Sequence, residues 1–132
     1  MRKCTVIFAA ILLVLASMNV MADWTYMISS INADFYVDKT DIRKKSNKVK
    51  MWDMTDYKST QQDANGASYL SSRSLAEYDC VQIKYATLNY TFFSGNMGDG
   101  EVVANSQYNG EPIDIAPDSV AKKLWKTACG KK

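Results

Sequence analysis

Through most of the chain apolar and polar side chains alternate with a period of two, the pattern of strands that bury one face. Trp24-Thr25-Tyr26-Met27-Ile28 and Asp34-Phe35-Tyr36-Val37-Asp38 are short aromatic and β-branched runs separated by polar residues, and they predict two strands. A third spans residues 48–57, reached through the basic stretch 42–47, whose Ser46-Asn47 pair suits a turn. The polar residues 59–68, with Asn65-Gly66 among them, read as a loop, and residues 68–74 as a fourth strand. Residues 77–94 carry the longest β signal, and a straight strand of that length would reach roughly 60 Å at about 3.3 Å per residue, too long for a small domain. The run therefore has to bend. Val81, Ile83 and Tyr85 share one parity and Leu88, Tyr90 and Phe92 the other, so a bulge is expected near Ala86-Thr87. After a Gly-rich turn at 95–100, residues 101–108 return as a sixth strand and Asn109-Gly110 ends it.

Beyond the N-terminal segment only the C-terminus reads as helix. Near the C-terminus Pro117-Asp118-Ser119 offers a cap, Val120, Leu124 and Ala128 form an apolar stripe, and Gly130 follows as a stop. At the N-terminus Met1-Arg2-Lys3 precedes a mostly apolar run, residues 4–16, that is too short to cross a bilayer as a mature helix. With Val20-Met21-Ala22 behind it, residues 1–22 read as a signal peptide cut after Ala22, leaving 23–132 as a single domain. Cys4 lies too early to be a lipoprotein cysteine. The expected location is the periplasm, the outer surface or the medium, without a lipid anchor or a mature membrane span.

That reading changes the charge. The whole chain has 132 residues, 16 Lys+Arg and 14 Asp+Glu. Removing 22 residues, and with them Arg2 and Lys3, leaves 110 with 14 basic and 14 acidic side chains. A neutral chain gives no reason to expect nucleic acid. Two cysteines remain, Cys80 and Cys129. In an oxidising compartment a lone pair is most simply one disulfide, closing a loop of about 50 residues. The rival reading, thiols for catalysis or metal, finds neither a CxxC spacing nor a histidine behind it. The chain has no His at all, which removes Ser-His-Asp and Cys-His machinery and His-ligated zinc, so neither an enzyme nor a cofactor is expected.

Cys129 falls in the last helical turn, so the bond would fasten the helix to a central strand. If Cys80 faces the helix, strand alternation puts Val81, Ile83 and Tyr85 on the other side of the sheet, where they need cover. Either the sheet curls onto itself or a second subunit covers them, and a homodimer is the favoured expectation.

Three groups of side chains are candidates for function. Arg43, Lys44, Lys45, Lys48 and Lys50 place five cations in eight residues, a pattern suited to sulfated glycan or an acidic protein segment, and equally to a solvated connection that discourages edge pairing. Tyr78, Tyr85, Tyr90 and Tyr108 suit a partner surface or ordinary half-buried strand faces. Trp24, Trp52 and Trp125 read as core. Asp53 with Asp56, and Asp79 with Asp99, lack calcium-loop spacing and read as solvated or backbone-bonded.

The order of motifs resembles the bacterial surface-adhesin protein E family. They are Trp24, then Phe35-Tyr36-Val37-Asp38 with Ile42-Arg43, Met51-Trp52-Asp53-Met54-Thr55-Asp56-Tyr57, Glu77-Tyr78-Asp79-Cys80, Met97-Gly98-Asp99-Gly100-Glu101-Val102-Val103, Pro112-Ile113 and Leu124-Trp125-Lys126-Thr127-Ala128-Cys129. The resemblance implies an α+β, mainly β fold: an antiparallel, strongly bent sheet of about six strands with one C-terminal helix tied to it by a disulfide. It also implies dimerisation, and adhesion through host matrix or serum proteins such as laminin, vitronectin and plasminogen. The alternative is a soluble periplasmic inhibitor or sensor of an envelope or host enzyme, acting through a protruding loop such as residues 94–100.

Overall fold

The computed structural model describes residues 22–132. Strands β1 (Trp24–Ser29), β2 (Ala33–Asp38), β3 (Arg43–Lys45), β4 (Lys48–Gln62), β5 (Ser68–Asp79), β6 (Lys84–Phe93), β7 (Val102–Gln107) and β8 (Ile113–Asp114) are followed by helix α1 (Val120–Ala128). All pairings are antiparallel and the sheet runs β1-β2-β4-β5-β6-β7. The short β3 pairs with the start of β4, and β8 with the start of β6.

A sheet with strands this long closes on its helix only by bending, and the bends lie at register breaks. Between Asp56 and Gln61 four residues of β4 oppose Leu70 alone on β5. On β6, Leu88 is the extra residue between Thr87, opposite Ala76, and Asn89, opposite Leu75. This is the expected bulge, one residue beyond the expected place, and it returns Tyr85, Tyr90 and Phe92 to a common face.

The run 77–94 is not one bent strand. β5 continues through Asp79, and the chain then reverses across a turn at Cys80–Ile83 before β6 begins. Asp79 makes the reversal, its Oδ1 accepting the N–H groups of Val81 at 3.0 Å and Gln82 at 2.8 Å. These bonds, Gln82's first, hold its carboxyl below the usual aspartate range, aided by Lys48. Likewise, the polar stretch 59–62 is strand rather than loop, because β4 resumes pairing past its bulge.

Helix α1 begins where expected: the Ser119 side chain accepts from the Lys122 N–H at 3.1 Å. It ends in a left-handed Gly130, with the Lys131 N–H bonded to the Lys126 carbonyl at 2.7 Å. Leu124, Trp125 and Ala128 are buried against Val37, Val49, Met51, Ala76 and Tyr78. The Trp125 Nε1–H donates to the Asp79 carbonyl at 2.8 Å, and Cys129 is bonded to Cys80. Because Cys80 sits in a turn, strand alternation does not carry over it. Ile83 and Tyr85 pack on the helix side with the core, and Val81 is exposed in the turn. Val81, Ile83 and Tyr85 therefore do not form one face opposite the helix.

The opposite face is closed locally by residues 95–99, folded down onto the sheet. Asp56 accepts from the Asn96 side chain and the Met97 N–H, both at 2.8 Å. Ser71, fully buried, donates to the Gly95 carbonyl at 2.6 Å and accepts from the Gly98 N–H at 2.9 Å. Gly98 is left-handed, and a Cβ there would lie 3.0 Å from Met54 Cε. Replacing Ser71 with Ala orphans two backbone groups and is expected to cost about 2 kcal/mol in urea denaturation. A loss below about 0.5 kcal/mol would mean water replaces the hydroxyl freely.

Candidate functional site

The basic residues form a hairpin at one end of the sheet. Arg43 pairs with Lys50, Lys44 with Val49 and Lys45 with Lys48, around a turn in which Ser46 is left-handed. Strand alternation sends Arg43, Lys45, Lys48 and Lys50 to one face, away from the helix, in a two-by-two array. Lys44 alternates to the other face yet borders the same shallow groove of about 490 Å³, which ends at Glu77. Two of the five are already engaged: Arg43 lies 2.8 Å from Asp41, and Lys48 3.6 Å from Asp79. Among the described residues Lys44, Lys45 and Lys50 have no such partner. Lys44 and Lys45 are exposed, so this is a solvated cationic edge that both blunts strand pairing and presents charge.

The tyrosines divide. Tyr78 is in the core, its ring stacked on Tyr85 at 6.2 Å, and burial drives its hydroxyl pKa well above the ordinary value. Tyr90 lies 5.5 Å from Tyr108 and 4.8 Å from Phe92, which stacks on Tyr69 at 4.2 Å. This aromatic row lines the half of the helix-bearing face that the nine-residue helix is too short to cover. Two adjoining cavities of about 560 and 260 Å³ open there and share Thr55, Ser74, Tyr85 and Thr87. Gly110 closes one wall, so near β6 that a Cβ would meet the Thr87 carbonyl oxygen at 2.7 Å.

Asp53 lies beside these cavities. Opposite Val37 and Ser74, it is crowded by the sheet but opens into the smaller cavity, and among the described residues its carboxyl has no hydrogen-bond or ion-pair partner. Burial pushes its pKa up to about 7. Asp56, Asp79 and Asp99 bond to backbone N–H groups as expected, whereas Asp53 departs from that expectation. The signal was present: Asp53 shares the parity of buried Val49 and Met51.

Of the tryptophans, Trp125 is core. Trp52 and Trp24 are half-buried on the other face, where the Arg73 guanidinium lies 5.0 Å from the Trp52 ring centroid and 5.9 Å from that of Phe93.

A sheet bent over one stapled helix, with a charged edge and an open aromatic groove, is a small α+β domain. The model of the family described as surface-adhesin protein E matches residues 24–130, and the chain belongs to that family. The structure of Haemophilus influenzae protein E resembles it with a TM-score of 0.64 over 85% of this chain and 87% of that chain, at 14% identity. Crystal form II of that protein gives 0.66 over 85% and 91%, and protein E from non-typeable Haemophilus influenzae 0.60 over 80% and 75%, both at 14% identity. Identity this low speaks for the fold. No curated protein sequence matches the chain.

Residues 1–21 of the expected signal peptide lie outside the described residues. Among the described residues no helix is long and apolar enough to cross a membrane.

Proposed function

We propose that the protein is an exported, non-enzymatic adhesin that binds host matrix or serum proteins of the laminin, vitronectin and plasminogen kind, with the Arg43–Lys50 hairpin engaging an acidic segment. Family membership supports the adhesive role. The observation that carries the site is the array of Arg43, Lys45, Lys48 and Lys50 on one face of an exposed hairpin. In this reading residues 1–22 direct export and are removed, and the domain works outside the cytoplasm without a lipid anchor. The inhibitor alternative takes a protruding loop such as 94–100 as its contact, and the bonds that hold this loop to Asp56 and Ser71 favour the adhesin reading.

Replacing Lys44 and Lys45 with Ala is expected to weaken binding to immobilised laminin or vitronectin about tenfold at low salt, with the difference shrinking as salt screens the array. Unchanged, salt-insensitive binding by the double variant would remove the hairpin from the site. Protease treatment of intact cells tests the location: loss of the protein places it at the surface, and survival until the envelope is opened would favour a periplasmic role.

A further inference from the structure

We infer that the groove beside Asp53, walled by Tyr57, Tyr85, Tyr90, Phe92 and Tyr108, binds a small organic cation: an ammonium or guanidinium carried on an apolar body. The site is separate from the basic hairpin, and neither reading depends on the other.

Four observations converge. First, the two continuous cavities, about 560 and 260 Å³, have the size of small-molecule sites. Second, their charge is of one sign: Asp53 and Glu111 line them, and neither cavity is lined by a Lys or Arg. That complementarity disfavours anions and selects a cation. Third, aromatic rings wall the larger cavity, and their negative faces attract a cation while their area holds an apolar body. Fourth, Ser72, Ser74, Thr55 and Thr87 bring hydroxyl acceptors to the groove for N–H groups that a carboxylate leaves free.

The placement of Asp53 is otherwise unexplained. Asp53 is half-buried and has no partner among the described residues, at a position whose neighbours of the same parity are Val49, Met51 and Thr55. A cation would supply the missing partner. The occupant is a small molecule rather than a macromolecule, because helix residues Val120, Ala121 and Leu124 and the segment Gly110–Ile113 border the groove and limit it to small-molecule size.

Binding should follow the ionisation of Asp53. The titratable groups that line the smaller cavity with it are Tyr78 on β5 and Tyr85 on β6, and those of the adjoining larger cavity are Tyr57, Tyr85, Tyr90, Tyr108 and Glu111. The side chains that β2 and α1 contribute, Phe35, Val120, Ala121 and Leu124, are uncharged. With burial raising the carboxyl toward neutrality, a proton competes with the ligand below pH about 7.

The test is calorimetric titration of the mature chain with tyramine, and with its neutral analogue 4-ethylphenol. Tyramine should bind about tenfold more tightly at pH 8 than at pH 6, the ratio of ionised Asp53 at the two values, while 4-ethylphenol should be weaker at pH 8 and pH-independent. Asp53→Asn should remove the advantage of tyramine and its pH dependence, and leave 4-ethylphenol unchanged. A folded Asp53→Asn protein, checked by circular dichroism, that still prefers tyramine would overturn the assignment. So would 4-ethylphenol matching tyramine in the wild type, displacement of tyramine by a neutral disaccharide, or no heat with either probe up to about 10 mM.

Discussion

Replacing both Cys80 and Cys129 with Ala should lower the unfolding free energy of this domain by about 4 kcal/mol, the chain-entropy value for a loop closed across a separation of 49 residues. For a domain of this size that is a large part of its stability. The bond holds a helix of nine residues, shorter than a helix that persists alone in water. With it cut, α1 depends on the burial of Leu124, Trp125 and Ala128 and on the Trp125–Asp79 hydrogen bond. Those contacts form the lid of the core over Val49, Met51 and Tyr78, so loss of the helix should be coupled to loss of the sheet and give one cooperative transition. Urea denaturation of the double variant measures both. A drop below about 1 kcal/mol would show that the unfolded chain is already compact around this loop.

Asp53→Asn is expected to stabilise the protein above neutral pH. In the unfolded chain Asp53 ionises near 3.8, and in the fold not until about 7. Below 3.8 the carboxyl is neutral in both states and costs nothing. As pH rises toward 7 the unfolded state sheds its proton first, so stability falls across that window and is constant above it. A shift of that size corresponds to at most on the order of 4 kcal/mol, and the opening of Asp53 to the groove reduces it. Asn keeps the shape without titrating, so the variant should gain about 2 kcal/mol over the wild type at pH 8 and almost nothing at pH 4. Asp79 acts in a separate window: its lowered pKa contributes stability that is lost as pH falls below the ordinary aspartate value. Thermal melting of both proteins from about pH 2 to pH 8 covers both windows, and parallel curves between pH 4 and pH 8 would show that Asp53 ionises normally in the fold.

Where strand signals were strong and local, sequence and structure agree closely. β1, β2 and β7 lie within a residue or two of their expected limits, as does the helix cap at Ser119. The turn at Cys80–Ile83 left no such mark. It contains neither Gly, Pro nor Asn, and Ile83 adopts a left-handed backbone that β-branched residues rarely take. Its apolar Val81 and Ile83 look like strand, while the force that makes the turn, the Asp79 carboxylate on two backbone N–H groups, resembles any other aspartate in a sequence. The polar end of β4 was hidden for the converse reason: backbone pairing with β5 holds it, and backbone bonds are blind to side-chain polarity.

The two candidate sites differ in the same way. The cationic hairpin is contiguous in sequence, and its five residues could be named from spacing alone; the fold added that four share a face and two are already paired. The aromatic groove joins β4, β5, β6 and the segment before β8, residues up to about sixty positions apart, and its common face depends on the Leu88 bulge. Sequence by itself determined the local periodicities, the helix and its cap, the cysteine pair, the motif order of the family and the basic cluster, because each is written in neighbouring residues. Tertiary structure alone decided which sheet face the helix covers, how much of it a nine-residue helix leaves open, and that Asp53 stands unpartnered at that opening. Those outcomes depend on how distant strands are registered and on where the disulfide pulls the helix, quantities no short stretch of chain contains.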